Sequence, residues 1–155
     1  MGVSGSGKTS VGRALARRIG ARFVEGDDLH PDRNRKAMAA GHPLDDGMRR
    51  DWLDALGDHV AATPGRAVVA CSALKRRYRD GLRARLGPLD LAWQTGPAPL
   101  LLARVSGREG HYFPAALLDE QLADLEPPRG EPRCLILDIR LSVPAQVRRA
   151  ALRFG

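Results

Sequence analysis

The chain has 155 residues, which is enough for one domain with a buried core and too few for two. Apolar residues make up 43% and charged residues 28%, as in ordinary globular proteins, and no apolar run reaches the 18 residues of a membrane span. The formal charge of +7 comes from 22 Arg and 3 Lys scattered along the chain, with only 5% aromatic residues. This pattern argues against a nucleic-acid-binding surface and favours the attraction of small anions.

The cysteines and the first residues are typical of a cytoplasmic protein. Cys71 and Cys134 lie far apart and have no metal-ligand spacing around them, so we expect two reduced, buried thiols. The chain does not open on a basic segment followed by an apolar one, as a secretory signal would. We therefore expect a single cytoplasmic domain that comprises residues 1–155.

Short apolar segments alternate with amphipathic ones along the chain, which predicts a parallel α/β sheet covered by helices. The predicted strands are 22–25, 67–71, 89–93 and 134–139. The predicted helices are one that follows the first glycine-rich loop and ends at Gly20, then 46–62, one capped by Ser72 that extends to Leu86, 100–105, and one from Val143 to the chain end. Residues 106–128 combine turn residues with a leucine stripe and are predicted to contain a lid.

The segment Gly2-Val3-Ser4-Gly5-Ser6-Gly7-Lys8-Thr9 fits the phosphate-loop pattern G-x-x-x-x-G-K-[ST]. Its glycines allow consecutive N–H groups to face phosphate oxygens without a colliding side chain. Lys8 supplies a positive charge to the β- and γ-phosphates, and Thr9 offers a hydroxyl to Mg²⁺. The pattern therefore predicts that residues 2–9 bind ATP·Mg²⁺.

Two carboxylates, Asp27 and Asp28, follow the strand predicted at 22–25. Ligands gather at the carboxyl end of such a strand, and phosphoryl transfer to an alcohol needs a carboxylate that accepts the hydroxyl proton. Either Asp27 or Asp28 could be this base. The alternative is that the pair caps a helix that begins near Pro31.

Two further segments carry cations near the predicted site. Lys75 is expected in the first turn of the helix after the strand at 67–71, where it could bind substrate or belong to a solvated basic face. Residues 108–114 contain Arg108, His111 and aromatic side chains. They could form part of a lid that brings Arg charge to the transferred phosphoryl group, or a plain surface loop.

The order of motifs resembles bacterial gluconokinases from Gly2 to about Asp138. The motifs are G-V-S-G-S-G-K-T, G-D-x-L-H-P-x-x-N, G-x-P-L-x-D, R-x-x-W-L, C-S-A-L-K-x-x-Y-R-D, R-x-G-H and L-L-x-x-Q-x-x-x-L-E-P. The resemblance implies a P-loop NTPase fold of the adenylate-kinase-like kind, with three α/β/α layers and a parallel sheet of order 2-3-1-4-5. It implies phosphorylation of gluconate to 6-phosphogluconate by ATP and Mg²⁺, and a homodimer.

The resemblance also implies roles for single residues. It favours Asp27 over Asp28 as the base, because Asp27 directly follows Gly26. With the phosphate-loop pattern, which points to Lys8, it leads us to expect catalysis by Lys8, Asp27, Lys75 and Arg108. The residues that it places around the sugar acid are Asp27, His30, Arg49, Lys75 and His111, and those near the nucleotide or lid are Arg104 and Arg108. Alternatives are a related kinase of another small acid, of the shikimate kinase kind, and a degenerate nucleotide-binding module.

One expected element is missing from the sequence. A phosphate loop normally follows a buried strand, yet only Met1 precedes Gly2. In the sheet order 2-3-1-4-5 the missing strand is the central one, and its loss would leave two neighbouring strands unpaired. From the sequence we expect the natural protein to begin upstream of Met1.

Overall fold

The computed structural model describes residues 1–107 and 115–155. Within these residues the strands are β1 (Arg22–Glu25), β2 (Ala67–Ala70), β3 (Leu91–Thr95) and β4 (Cys134–Asp138). The helices are α1 (Lys8–Arg18), α2 (Asp32–Ala39), α3 (Asp46–Ala61), α4 (Arg76–Leu86), α5 (Ala98–Ser106), α6 (Ala115–Asp124) and α7 (Val143–Phe154). No helix in this part of the chain combines the length and hydropathy needed to cross a bilayer.

The strands form two parallel pairs that lie on either side of a gap. β1 pairs with β2 in the register Arg22 to Ala67, and β3 pairs with β4 in the register Leu91 to Cys134. Helices α1 and α7 pack together on one side, and α3 packs against α4. The predicted α/β P-loop fold is confirmed, with the strands ordered around a centre that holds no strand among the described residues.

Met1 lies at one end of this gap and connects its two sides. Its main-chain nitrogen donates to the carbonyl of Ala92 at 2.6 Å, and its carbonyl accepts from the nitrogen of Gln94 at 2.9 Å. The nitrogen of Gly2 donates to the carbonyl of Ser72 at 3.3 Å. Beyond Met1 a cavity of about 330 Å³ separates β2 from β3, and most of its lining is aliphatic.

The predicted Ser72 cap is wrong, because α4 begins at Arg76 with Lys75 as its N-cap. The residues before it use their main chain in tertiary contacts. Ala73 has a positive φ of 43°, and the carbonyl of Leu74 accepts from Arg79 at 2.7 Å. Lys75 therefore precedes the helix rather than lying in its first turn. The predicted strand at 89–93 is also displaced, since pairing with β4 begins at Leu91.

Arg79 is almost fully buried and holds the chain on both sides of α4. Its guanidinium donates to Glu131, with 3.0 Å between Nε and Oε1, and to the carbonyls of Ala73 and Leu74. A buried charge needs such pairing to offset its lost hydration. The Arg of the Y-R-D motif thus supports the segment that carries Lys75.

The cysteines are free in this structure, as predicted. Cys71 is buried, and burial raises the pKa of its thiol to about 12. Cys134 is only partly buried, so the prediction of two buried thiols is confirmed for Cys71 alone; burial raises the pKa of Cys134 as well. Both thiols are therefore protonated at neutral pH.

Candidate active site

The phosphate loop lies between the end of β3 and the side of α5. A Cβ on Gly2 would come within 2.6 Å of the Gln94 carbonyl oxygen, and one on Gly5 within 2.8 Å of the Leu101 carbonyl oxygen. Both glycines have positive φ, 142° and 77°. Side chains at these two positions would collide with main chain, so the loop needs glycine there to keep this path.

The polar groups of the loop suit an anion. Lys8 Nζ donates to the carbonyl of Val3 at 3.1 Å, which holds the ammonium against the loop. The Ser6 hydroxyl is buried and finds no partner among the described residues. Gly7 precedes α1 in a left-handed conformation, and no side chain caps the helix. The first turn of α1 therefore offers its N–H groups and its positive dipole end to phosphate.

Thr9 also has an arrangement that fits its predicted role at Mg²⁺. Its hydroxyl donates to Glu25 Oε2 at 2.7 Å, where Glu25 is the last residue of β1. Because the hydroxyl proton points to Glu25, the oxygen lone pairs are left for a hard cation. Within the described residues no group of three or more His, Cys, Asp or Glu could hold a metal by itself. The role of Thr9 at Mg²⁺ is compatible with this arrangement and stays a prediction.

A second cavity, of about 300 Å³, adjoins the phosphate loop and is bounded by the turn after β1, by α3 and by α6. Five of the predicted site residues line it, namely Ser4, Lys8, Asp27, His30 and Arg49. We call it the acceptor cavity. Lys75 does not line it but lies in an adjoining depression, which Arg49 and Asp124 also line. The fold thus brings Asp27 and Arg49 to one space beside Lys8 of the phosphate loop, with Lys75 next to it.

Asp27 reaches the acceptor cavity from a single turn of 3₁₀-helix formed by Gly26–Leu29. This turn is held by Trp52, whose Nε1 donates to the Gly26 carbonyl at 2.7 Å. Asp27 and Asp28 are both exposed, but Asp28 does not line the cavity. The helix-cap alternative is wrong, because α2 has Pro31 as its N-cap and no side chain hydrogen-bonds there.

His30 is buried between aromatic and polar neighbours. Its ring stacks on Trp52 with 4.1 Å between centroids, and its Nδ1 lies 3.4 Å from the Asn34 amide nitrogen. Its Nε2 lies 3.9 Å from Asp27 Oδ1. Loss of hydration lowers the pKa of His30 below 6.5, although Asp27 opposes this shift. His30 is therefore neutral at pH 7 and can hydrogen-bond to a polyol without adding charge.

This pKa shift has a consequence for stability. The unfolded chain takes up a proton at His30 before the folded protein does, so the stabilisation is complete above pH 6.5 and is lost as the pH falls through the folded-state pKa. We expect the free energy of unfolding of the wild type to fall, relative to that of His30→Gln, between pH 7 and pH 5. Urea unfolding of both proteins across this range measures it. A relative gain for the wild type at low pH would instead mean that the imidazolium pairs with Asp27.

Arg49 and Lys75 both contact Asp124, the last residue of α6. Arg49 Nη1 lies 3.1 Å from Asp124 Oδ2, and Lys75 Nζ lies 3.0 Å from Asp124 Oδ1. Arg49 Nε also donates to the Leu44 carbonyl at 2.9 Å. Hydrogen bonding to Asp124 raises the pKa of Lys75. The Asp124 carboxylate thus bridges the two cations.

The remaining predicted residues do not line the acceptor cavity or lie outside the residues that the structure describes. Arg104 Nη2 donates to the Ile139 carbonyl at 2.8 Å, which joins α5 to the loop after β4. Its role at the nucleotide stays a prediction. Arg108 and His111 lie outside the described residues, together with the rest of 108–114, one part of the segment predicted to contain a lid.

Sequence reasoning missed Glu25, Gln121 and Asp124. Gln121 Oε1 accepts from the Ser4 nitrogen at 2.7 Å, so α6 touches the phosphate loop itself. Glu25 could have been found from its position, because it is a carboxylate at the end of a strand, and strand ends meet the first turn of α1 at one edge of the sheet. No local pattern indicates Asp124, whose partners lie 75 and 49 positions earlier in the chain.

Comparison with known proteins agrees with this geometry. The sequence profile of the shikimate kinase family matches residues 4–86. The gluconokinase of Gluconobacter oxydans is 48% identical over 132 residues, which are 83% of this chain and 74% of that protein. The thermosensitive gluconokinase of Escherichia coli is 39% identical over 159 residues, covering 98% of this chain and 85% of that protein.

A solved structure gives the same result for the fold. The crystal structure of a gluconokinase from Sinorhizobium meliloti matches with a TM-score of 0.90 and 45% identity, and the match covers 99% of this chain and 87% of that one. The phosphate loop, the Asp27 turn and the acceptor cavity lie within the matched length. The chain belongs to the gluconokinase family of P-loop kinases.

Proposed function

We propose that this protein transfers the γ-phosphoryl group of ATP to the terminal hydroxyl of gluconate and forms 6-phosphogluconate. The observation that carries the proposal is the acceptor cavity, where Asp27 and Arg49 lie beside Lys8 of the phosphate loop. Its volume of about 300 Å³ is at the lower end of ligand pockets and suits a six-carbon acid. One carboxylate and one guanidinium match the two chemical ends of gluconate, a hydroxyl and a carboxylate.

The proposed reaction is a single displacement at phosphorus. The Asp27 carboxylate accepts the proton of the substrate hydroxyl, and that oxygen forms a bond to the γ-phosphorus. The bond from the γ-phosphorus to the β,γ-bridging oxygen breaks, and its electron pair leaves with ADP. Lys8 and the loop N–H groups stabilise the charge that develops on the phosphates.

We assign the nucleotide to residues 2–9, with Arg104 and Arg108 as further cations near it. Mg²⁺, held through Thr9, would neutralise charge on the β- and γ-phosphates. We assign the sugar acid to Asp27, His30, Arg49, Lys75 and His111, with the cations on its carboxylate. The homodimer and the cytoplasmic location stay predictions.

A panel of acceptors tests the proposal. We expect ADP release to be fastest with gluconate in a comparison of gluconate, galactonate, shikimate and glucose at saturating ATP and Mg²⁺. Glucose lacks the carboxylate that Arg49 and Lys75 would bind, so its kcat/KM should be lower by at least about tenfold, as for loss of one charged contact. The measurement is the initial rate in a coupled assay.

Three outcomes of the panel would contradict the proposal. Preference for shikimate would favour the related small-acid kinase, which is the family whose profile matches residues 4–86. No ADP release with any acid, in a protein that still binds ATP, would favour a nucleotide-binding module. Equal rates with glucose and gluconate would mean that the substrate carboxylate does not contribute to recognition.

A further inference from the structure

Helix α6 presents two oxygen ligands to the site from positions three residues apart. The amide oxygen of Gln121 accepts from the Ser4 nitrogen in the phosphate loop, at 2.7 Å. The carboxylate of Asp124 contacts Arg49 and Lys75. Residues at i and i+3 share one face of a helix, so the same face of α6 meets the phosphate loop and the two cations proposed for the sugar acid.

The geometry at Asp124 is that of a carboxylate ligand. Each of its oxygens takes one cation, Oδ2 at 3.1 Å from Arg49 and Oδ1 at 3.0 Å from Lys75. The three side chains are largely withdrawn from solvent, with 16%, 21% and 28% exposure for Arg49, Lys75 and Asp124. A substrate carboxylate bound by both cations would need the positions that the Asp124 oxygens now occupy.

Both cations have other contacts that would keep them in position without Asp124. Arg49 Nε is held by the Leu44 carbonyl. Lys75 Nζ lies 3.5 Å from Oδ1 of Asp46, which also accepts from the Tyr78 hydroxyl, and Arg77 contacts Oδ2 of Asp46. Those hydrogen bonds lower the pKa of Asp46 to about 2, so it stays ionised across the working pH range. Departure of Asp124 would therefore leave two cations that are still oriented and have room for a new anion.

We propose that Asp124 is an internal competitor of the acid substrate: its carboxylate occupies Arg49 and Lys75 in the ligand-free protein, and the substrate carboxylate replaces it. The inference rests on the proposed function, because it takes these cations as the acid's binding partners. Asp124 thereby sets the affinity for the acid without touching the reacting atoms. A neutral acceptor that displaced Asp124 would leave both cations without an anion, so Asp124 also weakens the binding of acceptors that lack a carboxylate.

The size of the effect follows from competition. The apparent dissociation constant of the acid equals its intrinsic value divided by the fraction of protein in which the cations are free of Asp124. Partly exposed ion pairs are each worth little, and two of them together correspond to about fivefold in affinity. We therefore expect Asp124→Asn to bind gluconate about fivefold more tightly than the wild type.

The experiment is calorimetric titration of gluconate, without nucleotide, into wild type, Asp124→Asn, Asp124→Ser and the control Asp119→Asn. Asp119 is exposed on the same helix, so its removal changes the net charge equally without freeing the cations. We expect tighter binding by both Asp124 variants and a change within twofold for Asp119→Asn. The second Asp124 variant, with melting curves for all four proteins, separates lost competition from altered folding.

The contrary results are distinct. If the wild type phosphorylates gluconate but both folded Asp124 variants bind it no more tightly, the proposed competition would be wrong. Asp124 would then serve to hold the two cations in position. Gluconate binding that is detected only in the Asp124 variants would support the proposed competition. No binding in any variant and no turnover by the wild type would overturn the proposed function and this inference with it.

Discussion

Replacing Lys8 by Ala is expected to lower kcat at least about a hundredfold, because the ammonium is the mobile charge that meets the phosphates as negative charge shifts during transfer. Lys8 Nζ donates to the Val3 carbonyl, 3.1 Å away, at the surface of the acceptor cavity. The fold does not depend on it for core packing. The melting temperature should therefore change little while turnover collapses. Steady-state kinetics with gluconate and a thermal melt of the same preparation give the two numbers.

Lys36→Ala is the matched control for this variant. Lys36 is exposed on α2 and does not line the acceptor cavity, so its loss removes the same charge from the surface alone. Turnover by Lys36→Ala should remain within twofold of the wild type. If Lys8→Ala also stayed within twofold, the assignment of residues 2–9 to the phosphates would be wrong.

Asp27→Asn is expected to keep nucleotide binding and to lose kcat by about a hundredfold or more, the range typical of a removed general base. The amide has nearly the same shape as the carboxylate but cannot accept the proton of the attacking hydroxyl. The position of the side chain should persist, since Trp52 holds the turn through the Gly26 carbonyl. Binding of a non-hydrolysable ATP analogue, measured beside kcat, separates lost chemistry from lost binding.

Asp28→Asn is the control for this second variant, because Asp28 belongs to the same turn and is exposed, yet does not line the acceptor cavity. Its effect on kcat should be several times smaller than that of Asp27→Asn. The reverse ranking would exchange the two roles. Equal, large losses of analogue binding in both variants would mean that the turn acts on the nucleotide rather than on the hydroxyl.

The sequence predicted those parts of the molecule that depend on local pattern. The first strand, 22–25, was predicted with the bounds that the structure gives, and α3 ends one residue before its predicted end. The phosphate loop was found because its spacing itself carries the chemistry. Periodicity and motif spacing are properties of neighbouring residues, so they can be recognised without a fold.

The errors and omissions have a common physical origin in contacts between distant segments. Ser72 looked like a helix cap, but the Leu74 carbonyl bonds to Arg79 and to the Glu126 nitrogen, and these bonds delay the helix to Arg76. The pairing of Asp124 with two cations likewise depends on how α6 packs across the site. Tertiary hydrogen bonds and ion pairs override local preference wherever they satisfy main-chain or charged groups.

The burial of Arg79 also matters for the substitutions that this position can accept. Lys keeps the positive charge but lacks the planar guanidinium, so it could not bond to Glu131 and to the carbonyls of Ala73 and Leu74 together. A change of Arg79 to Lys would therefore loosen the segment that carries Lys75, although it leaves the net charge of the protein unchanged.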